Sequence, residues 1–388
     1  MIINNQFELN HITKIIFGAG MVENIGKETA KYGRKALIVC DEGVRKAGIV
    51  DKVTESLTGS GVDYAIYDKV LPNPRDTGVV EAAGVGSRFG ADVIIGVGGG
   101  SAMDTAKAAN VLMTNGGDCE TWARIRKFNE AVLPVICVPT TSGTGSEVTF
   151  EAVITAVEKG MKVSISDGVK LAPRLALMDP ELTLSVPPLV TASTGMDALT
   201  HALEAFTCTY SQPITDGLAM YAMEKIAGSI VTATMEGSNL KARTDMMVGS
   251  LMAGMAFTNS FLGSVHSLSE RIGGFYDTPH GIANSIFLPF VTQYNMDADP
   301  EKHALVAKCL GIDIAGLSQI DASERGVEKI FELNELLGIP KFKDVKGVDS
   351  NDFPKISESC VTHACTKANP RKIDAEGYLM LLNKAYDY

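Results

Sequence analysis

The sequence holds no excess of positive charge: 35 Lys and Arg stand against 46 Asp and Glu, a formal net charge of −11. That balance argues against nucleic acid or an anionic membrane surface as a partner, because both are bound through basic patches. Long apolar runs are missing too, and none approaches the roughly 18 residues of a membrane span. The opening residues, Met1-Ile2-Ile3-Asn4-Asn5-Gln6, lack the basic-then-apolar build of a secretory signal. Seven scattered cysteines form no Cys-x-x-Cys pair. They read as reduced thiols, and the cytoplasm is the expected compartment. Internal repeats, low-complexity tracts and the Gly-x-Gly-x-x-Gly dinucleotide fingerprint are also absent. What remains is a globular balance of 45% apolar and 21% charged residues. At 388 residues the chain exceeds one ordinary core, so two domains are expected.

The first half alternates short apolar runs with helical patterns. Residues 35–41, 64–67, 92–97 and 134–139 read as strands, and 45–59 and 77–90 as amphipathic helices between them. Continuous apolar strands alternating with helices imply an α/β domain whose parallel sheet is covered on both faces. From Pro187-Pro188 onward strand-like runs nearly vanish. Ala, Met, Leu, Glu and Lys recur at helical spacing through 189–207, 214–235 and 241–258, and again after 300 with breaks at Gly311, Gly338-Ile339-Pro340 and Asn369-Pro370. The expected division is an α/β nucleotide-binding domain over 1–185 and an all-α domain over 186–388.

Gly98-Gly99-Gly100-Ser101 follows a strand and precedes a helix expected from about Met103. Glycines let backbone amides approach an anion, and the helix offers its positive end; a plain tight turn is the alternative. Thr140-Thr141-Ser142-Gly143-Thr144 stands in the same relation to the next strand, and two such loops together favour a nucleotide phosphate site. Asp41, ending an earlier strand, could accept from ribose hydroxyls and repel a 2′-phosphate, or be a solvated loop carboxylate. Of only six histidines, three fall in one constellation with Asp197. Asp197 and His201 are one helical turn apart, so a carboxylate and an imidazole project from one face. His266 and His280 follow in Gly-rich surroundings, with Gly281 leaving room for an ion or ligand. A helix-face hydrogen bond is the alternative for the pair alone, but three imidazoles and a carboxylate without a thiolate suit Zn²⁺ or Fe²⁺.

These residues carry a family resemblance. Phe17-Gly18-Ala19-Gly20, Asn73-Pro74, Gly98 to Asp104, Pro139 to Thr149, Thr194 to His201, Tyr276 to Gly281 and Asn369-Pro370-Arg371 together resemble the iron-dependent (group III) alcohol dehydrogenase family nearly end to end. The texture is nearest to the 1,3-propanediol dehydrogenase and lactaldehyde reductase types. The resemblance implies an N-terminal domain binding NAD(P), an all-helical C-terminal domain and a cleft between them. It also implies one Fe²⁺, or Zn²⁺, on Asp197, His201, His266 and His280, and a homodimer or larger homo-oligomer. Gly99, Gly100, Ser101 and Asp104 match the pyrophosphate loop, with Thr140, Thr141 and Thr144 beside it. Asn73, Thr149, Val153, Lys162 and Leu182 match positions lining the cofactor, and Asp41 matches the acid that favours NAD over NADP. Phe257 and Cys365 match residues near the nicotinamide and the substrate mouth. The implied reaction is NAD-dependent hydride transfer between a small primary alcohol and its aldehyde, with the metal as Lewis acid.

One position departs from the pattern. Relatives commonly have a second histidine four residues after His266; here that position is Glu270, followed by Arg271. Glu270 can relay protons, or pair with a base while relay runs through ribose and water. Arg271, Arg124 and Arg126 could bind the anionic tail of an acid-bearing aldehyde such as sulfoacetaldehyde, giving isethionate, or be solvated surface charges. Two further classes stay open here: a dehydroquinate-synthase-like lyase using NAD and a metal, against which stands the lack of a basic cluster for a phosphorylated sugar acid, and a non-catalytic sensor.

Overall fold

The computed structural model describes residues 6–388. Asn10–Val186 forms one compact unit, and Pro187–Tyr388 forms a second, with which residues 6–9 group.

The first unit is built from β1 (Lys14–Phe17), α1 (Ile25–Thr29), β2 (Lys35–Val39), α2 (Glu42–Lys46), α3 (Ile49–Gly59), β3 (Asp63–Tyr67), α4 (Asp76–Phe89), β4 (Val93–Gly98), α5 (Gly100–Asn115), α6 (Cys119–Ile125), β5 (Val135–Pro139), β6 (Glu151–Ala156), β7 (Met161–Ser166) and β8 (Leu175–Met178). Six strands make a parallel sheet in the order β1-β8-β5-β4-β2-β3. Helices cover both faces, so β4, β5 and β8 are buried throughout and can be apolar at every position. The strand order reverses between β2 and β4, which opens a crevice at their carboxyl ends, where ligands of such sheets bind.

Four strands differ from the expected set. β1 is a short edge strand with an exposed first residue, and β8 is a four-residue run closed by Asp179-Pro180. The antiparallel hairpin β6–β7 alternates buried and open positions, the period-two pattern that a search for continuous apolar runs passes over. α5 also begins three residues earlier than expected, at Gly100 rather than Met103. The reason is packing: a Cβ on Gly100 would lie 2.6 Å from Thr144 Cγ2, so only glycine lets this first turn pass.

The second unit contains α7 (Pro188–Thr207), α8 (Pro213–Met235), α9 (Leu240–Asn259), α10 (Ser264–Tyr276), α11 (His280–Asn295), α12 (Pro300–Cys309), α13 (Gln319–Leu336), α14 (Phe353–Val361) and α15 (Ala375–Asp387). The described residues contain no strand after β8. Met196, Leu199, Leu203 and Phe206 of α7 pack in one core with Met223, Ile226, Ile230, Leu268 and Phe287. The carboxyl end of α7 is held by Lys302 of α12. Its ammonium donates to the Phe206 carbonyl, to Ser211 Oγ at 2.6 Å and to Asp216 at 3.1 Å. A cation there complements the helix dipole. No single helix among the described residues is long and apolar enough to cross a membrane; a bent pair, Leu240–Asn259 with Ser264–Tyr276, passes that test jointly, and it contributes to the core.

Glu147 sits fully inside the first unit, and burial pushes its carboxyl up to about 7, against the pull of a backbone hydrogen bond and Lys107. Between the ordinary carboxylate range and pH 7 the folded chain therefore keeps a proton that the unfolded chain has lost. Stability falls as pH rises through that window and levels off above it. Glu147→Gln removes this titration, so its melting temperature exceeds that of the wild type by a few degrees at pH 8. The gain shrinks towards zero at pH 5, as paired thermal melts would record.

Candidate active site

The middle of α7 carries Asp197 and His201 on one buried face, and α10 presents His266 from its first turn. His280 is the first residue of α11, set by Pro279 at the N-cap. These three helices bring one ligand atom of each of Asp197, His201, His266 and His280 within 4.8 Å of one another. The Nε2 atoms of His201 and His280 each lie 3.8 Å from Asp197 Oδ1. That is too long for a hydrogen bond, which removes the simple helix-face reading of Asp197 and His201. It is close to the edge of about 3.4 Å expected between ligands of a tetrahedral ion with bonds near 2.1 Å.

Two residues absent from the expected site hold this cluster. Glu204 lies on the same face of α7, one turn beyond His201. Its Oε2 meets His266 Nδ1 at 2.6 Å, and its Oε1 accepts the Val265 amide at 2.7 Å. With Nδ1 engaged, His266 turns Nε2 to the cluster, the carboxylate–histidine arrangement that orients metal ligands. Asn284, one turn beyond His280, places Nδ2 2.6 Å from Asp197 Oδ1, 3.2 Å from His266 Nε2 and 3.1 Å from His280 Nε2, while its own Oδ1 is buried without a partner. One amide nitrogen thus donates to Asp197 and lies within hydrogen-bond distance of two imidazole nitrogens as well. Both signals were present in the sequence as helical spacing from a named ligand. Gly281, expected to leave room for a ligand, has another use: a Cβ there would lie 2.4 Å from the Ser193 carbonyl, so glycine lets α11 seat on α7.

The electrostatics point the same way. Burial opposes a charge on His266, but the Glu204 hydrogen bond and the carboxylates of Glu204, Asp197 and Glu270 outweigh it and raise its pKa above the ordinary imidazole value. The field that favours a proton there also favours a cation. Among the described residues, no Lys or Arg pairs with buried Asp197 or Glu204. An acceptor-only set of three imidazoles and a carboxylate therefore fits a divalent ion such as Fe²⁺ or Zn²⁺.

Phe257 stacks on His201, with ring centroids 4.5 Å apart. Cys365 is buried and its amide donates to His363 Nδ1. Glu270 pairs with His363, a residue that played no part in the expected site. Arg271, five residues beyond His266, is turned about 140° round the helix from it. It lies near Cys360 of α14, whose thiol burial pushes up to about 12 against the pull of that charge. Arg124 and Arg126 are exposed in the other unit and line a surface groove with Lys159 and Met161.

In the first unit, the carboxyl ends of β2, β4 and β5 carry Asp41, Gly98–Ser101 and Thr140–Thr144. Gly98 adopts φ +147°, which favours glycine, and a Cβ there would lie 3.4 Å from Asp41 Oδ2. Asp41 Oδ1 caps α2 by accepting from the Val44 amide at 2.9 Å, so it is not a freely solvated carboxylate. A Cβ on Gly99 would lie 3.2 Å from Thr141 Oγ1, and the Thr140 amide donates to the Gly98 carbonyl, so the two loops pack on each other. No side chain caps α5 and no acid stands in its first turn. Its amino end, at the crevice between β2 and β4, thus fits a dinucleotide's phosphates. Ser142, buried with an unpartnered hydroxyl in the same loop, adds a donor that the expected set omitted.

Of the other expected cofactor positions, Asp104, Thr149 and Leu182 are internal, and Asn73, Val153 and Lys162 are half-buried. Asp104 is buried, which raises its pKa, and its oxygens accept from Ser146 Oγ at 2.6 Å and the Val153 amide at 3.1 Å. Thr149 accepts from Lys107 through both its carbonyl and its hydroxyl. Lys162 faces Thr155 across the hairpin, and Leu182 is a core residue beside β8. Asn73, at φ +52°, lies in the turn leading to α4. Lys107 was missed altogether. Fully buried, its ammonium contacts five oxygens of Ser146, Thr149 and Glu151 at 2.6–3.1 Å and pins the segment after the Thr-rich loop.

A doubly wound parallel sheet with an open phosphate-binding helix end, and a helical unit with a three-histidine, one-aspartate cluster, define a metal-dependent dinucleotide oxidoreductase. Residues 13–180 match the iron-containing alcohol dehydrogenase family, and residues 191–386 match the C-terminal part of the Fe-containing alcohol dehydrogenase family. The chain belongs to this family, and iron and NAD(H) are its cofactors. It is similar to 1,3-propanediol dehydrogenase of Klebsiella pneumoniae, 40% identical over 95% of this chain and 96% of the relative. It is also similar to lactaldehyde reductase of Escherichia coli K12, at 38% over 95% and 97%. The crystal structure of a 1,3-propanediol oxidoreductase superposes with a TM-score of 0.95 at 39% identity, over 98% of this chain and all of the other. The structure of sulfoacetaldehyde reductase from Bifidobacterium kashiwanohense in complex with NAD⁺ gives 0.86 at 27%, over 99% of each. The chain is thus an oxidoreductase of the alcohol dehydrogenase and aldehyde reductase class. Neither the lyase reading nor the acid-bearing-aldehyde reading is favoured.

Two substitutions probe the supporting residues. Glu204→Gln keeps the shape but lets His266 lose its fixed orientation, so iron affinity falls about 10–100-fold, as measured by titration of the metal-free protein. Lys107→Met leaves five oxygens without their donor. It weakens NADH binding by at least tenfold and lowers thermal stability, while iron affinity stays unchanged; fluorescence titration and metal analysis check this.

Proposed function

We propose that the chain interconverts a small, uncharged primary alcohol and its aldehyde, with one Fe²⁺, or Zn²⁺ in its place, held by Asp197, His201, His266 and His280. The observation that carries this reading is the buried acceptor-only cluster into which Asn284 donates. When bound, the metal supplies Lewis acidity at the substrate oxygen and the nicotinamide takes or gives the hydride. Glu270 would take up the proton that the substrate hydroxyl releases in the oxidation direction. Phe257, stacked on His201, and Cys365 shape the pocket on the substrate side.

On the first unit, Gly99, Gly100, Ser101, Thr140, Thr141, Ser142 and Thr144 bind the pyrophosphate, with Asn73 and Lys162 further along the cofactor. Asp104, Thr149, Val153 and Leu182 support those positions from behind. Asp41 selects NAD over NADP, because its carboxylate at the crevice repels a 2′-phosphate. A short substrate is supported by the names of the relatives at about 40% identity. All seven cysteines are free and buried, which supports a reducing, cytoplasmic setting. The family resemblance supports a homodimer or larger homo-oligomer.

The test is NADH turnover by anaerobically iron-loaded protein. It oxidises NADH with propanal or a hydroxyaldehyde, chelation abolishes the rate, and sulfoacetaldehyde gives no higher kcat/KM than propanal. Asp41→Gly raises kcat/KM for NADPH about tenfold or more, a change of about 1.4 kcal/mol. A metal-loaded protein that turns over no NADH with any short alcohol or aldehyde removes the proposal.

A further inference from the structure

Glu270 does not stand alone on α10. Its Oε2 lies 2.9 Å from His363 Nε2, and both side chains are largely buried. The opposite edge of the His363 ring is fixed as well: Nδ1 accepts the Cys365 amide at 3.3 Å and lies 3.4 Å from Ser267 Oγ. His363 is at once the N-cap of the turn Ala364–Ala368 and the partner of a carboxylate on another helix. A ring nitrogen whose lone pair accepts a backbone N–H cannot itself carry a proton, so the proton resides on Nε2 and points at Glu270.

The scaffold of this pair is itself tied down by hydroxyls. Thr366 Oγ1, in the same turn, donates to Ser267 Oγ at 2.9 Å and meets the Tyr378 hydroxyl at 2.6 Å, and Tyr378 meets Ser264 Oγ at 3.0 Å. The ladder starts and ends on α10, on either side of His266. It therefore fixes the turn bearing His363 against the helix that bears both Glu270 and a metal ligand.

We propose that His363 is the positioning residue for Glu270: the Cys365 amide locks its ring as the Nε2–H tautomer, and that N–H orients the Glu270 carboxylate as a proton acceptor. A donor aimed at one oxygen favours the ionised carboxylate and removes its rotational freedom. This rests on the alcohol–aldehyde reading with Glu270 as the proton-accepting group. A purely structural pair would tie the turn to α10 with no effect on the proton step.

The test has two arms. In the metal-free protein, side-chain ¹⁵N NMR shows His363 as the neutral Nε2–H tautomer; an Nδ1–H or doubly protonated ring overturns the proposal before any activity is measured. In the iron-loaded protein, His363→Leu lowers kcat about 10–100-fold with KM for aldehyde and NADH and iron content unchanged. His363→Gln, whose amide can accept from Cys365 and donate to Glu270, restores kcat to within about threefold of wild type, and also keeps the test open if the leucine variant does not fold. Glu270→Gln is as slow as His363→Leu, and the double variant is no slower than either single, as for residues acting as a unit. A slow Glu270→Gln beside an unimpaired His363→Leu overturns the positioning role alone. A Glu270→Gln with wild-type kcat overturns both the relay and its positioning, and iron-loaded wild type without NADH turnover removes the underlying reading as well.

Discussion

The second unit is organised round an electrostatic debt at its centre. Asp197, His201, His266 and His280 bring together a carboxylate and three imidazoles in a largely buried place that no lysine or arginine among the described residues neutralises. Buried charge of one sign is costly unless something of the other sign meets it. The Asn284 amide answers in part, donating to Asp197 Oδ1 beside the ring nitrogens of His266 and His280. A divalent ion answers in full, and the helices round it are arranged to keep the position rigid.

That rigidity is traceable to particular residues. Glu204 fixes the ring of His266, and its other oxygen fixes the start of α10 through the Val265 amide. Gly281 lets α11 come down on the Ser193 carbonyl, which sets the height of His280 above α7. Lys302 closes the far end of α7. Each contact has a local structural role, and each also sets where a ligand atom lies.

The division into an α/β half and a helical half was legible because burial leaves a period: continuous apolar runs for strands covered on both faces, and 3.6-residue spacing for α7 to α9. β1, β8 and the β6–β7 hairpin were not, because they are short, at an edge, or alternating. The four clustered residues could be named since a metal set restricts residue type as well as spacing. Glu204 and Asn284 lay in plain view at helical spacing from those ligands, but nothing in a sequence says which of several residues on a face turns inward. Lys107 and His363 were beyond reach for a different reason. Their partners are 39 to 44 and 93 residues away in sequence, and only the fold brings them together.

The two units handle buried charge in opposite ways, and the contrast bears on function. In the first, Lys107 is a permanent internal cation enclosed by oxygens of Ser146, Thr149 and Glu151, with the Asp104 carboxylate close by. Its charge is met within the chain, and its contacts brace the segment after the Thr-rich loop. The second unit has its own balanced cation in Lys302, but that lies at the end of α7, whereas the middle of the same helix is left short of positive charge. A lysine built into the cluster would have neutralised it and closed it to any ion. Leaving Asp197 and three imidazoles to an asparagine amide keeps the position assembled yet displaceable. A bound metal replaces weak dipoles there with a full charge, which is what polarising a substrate oxygen requires.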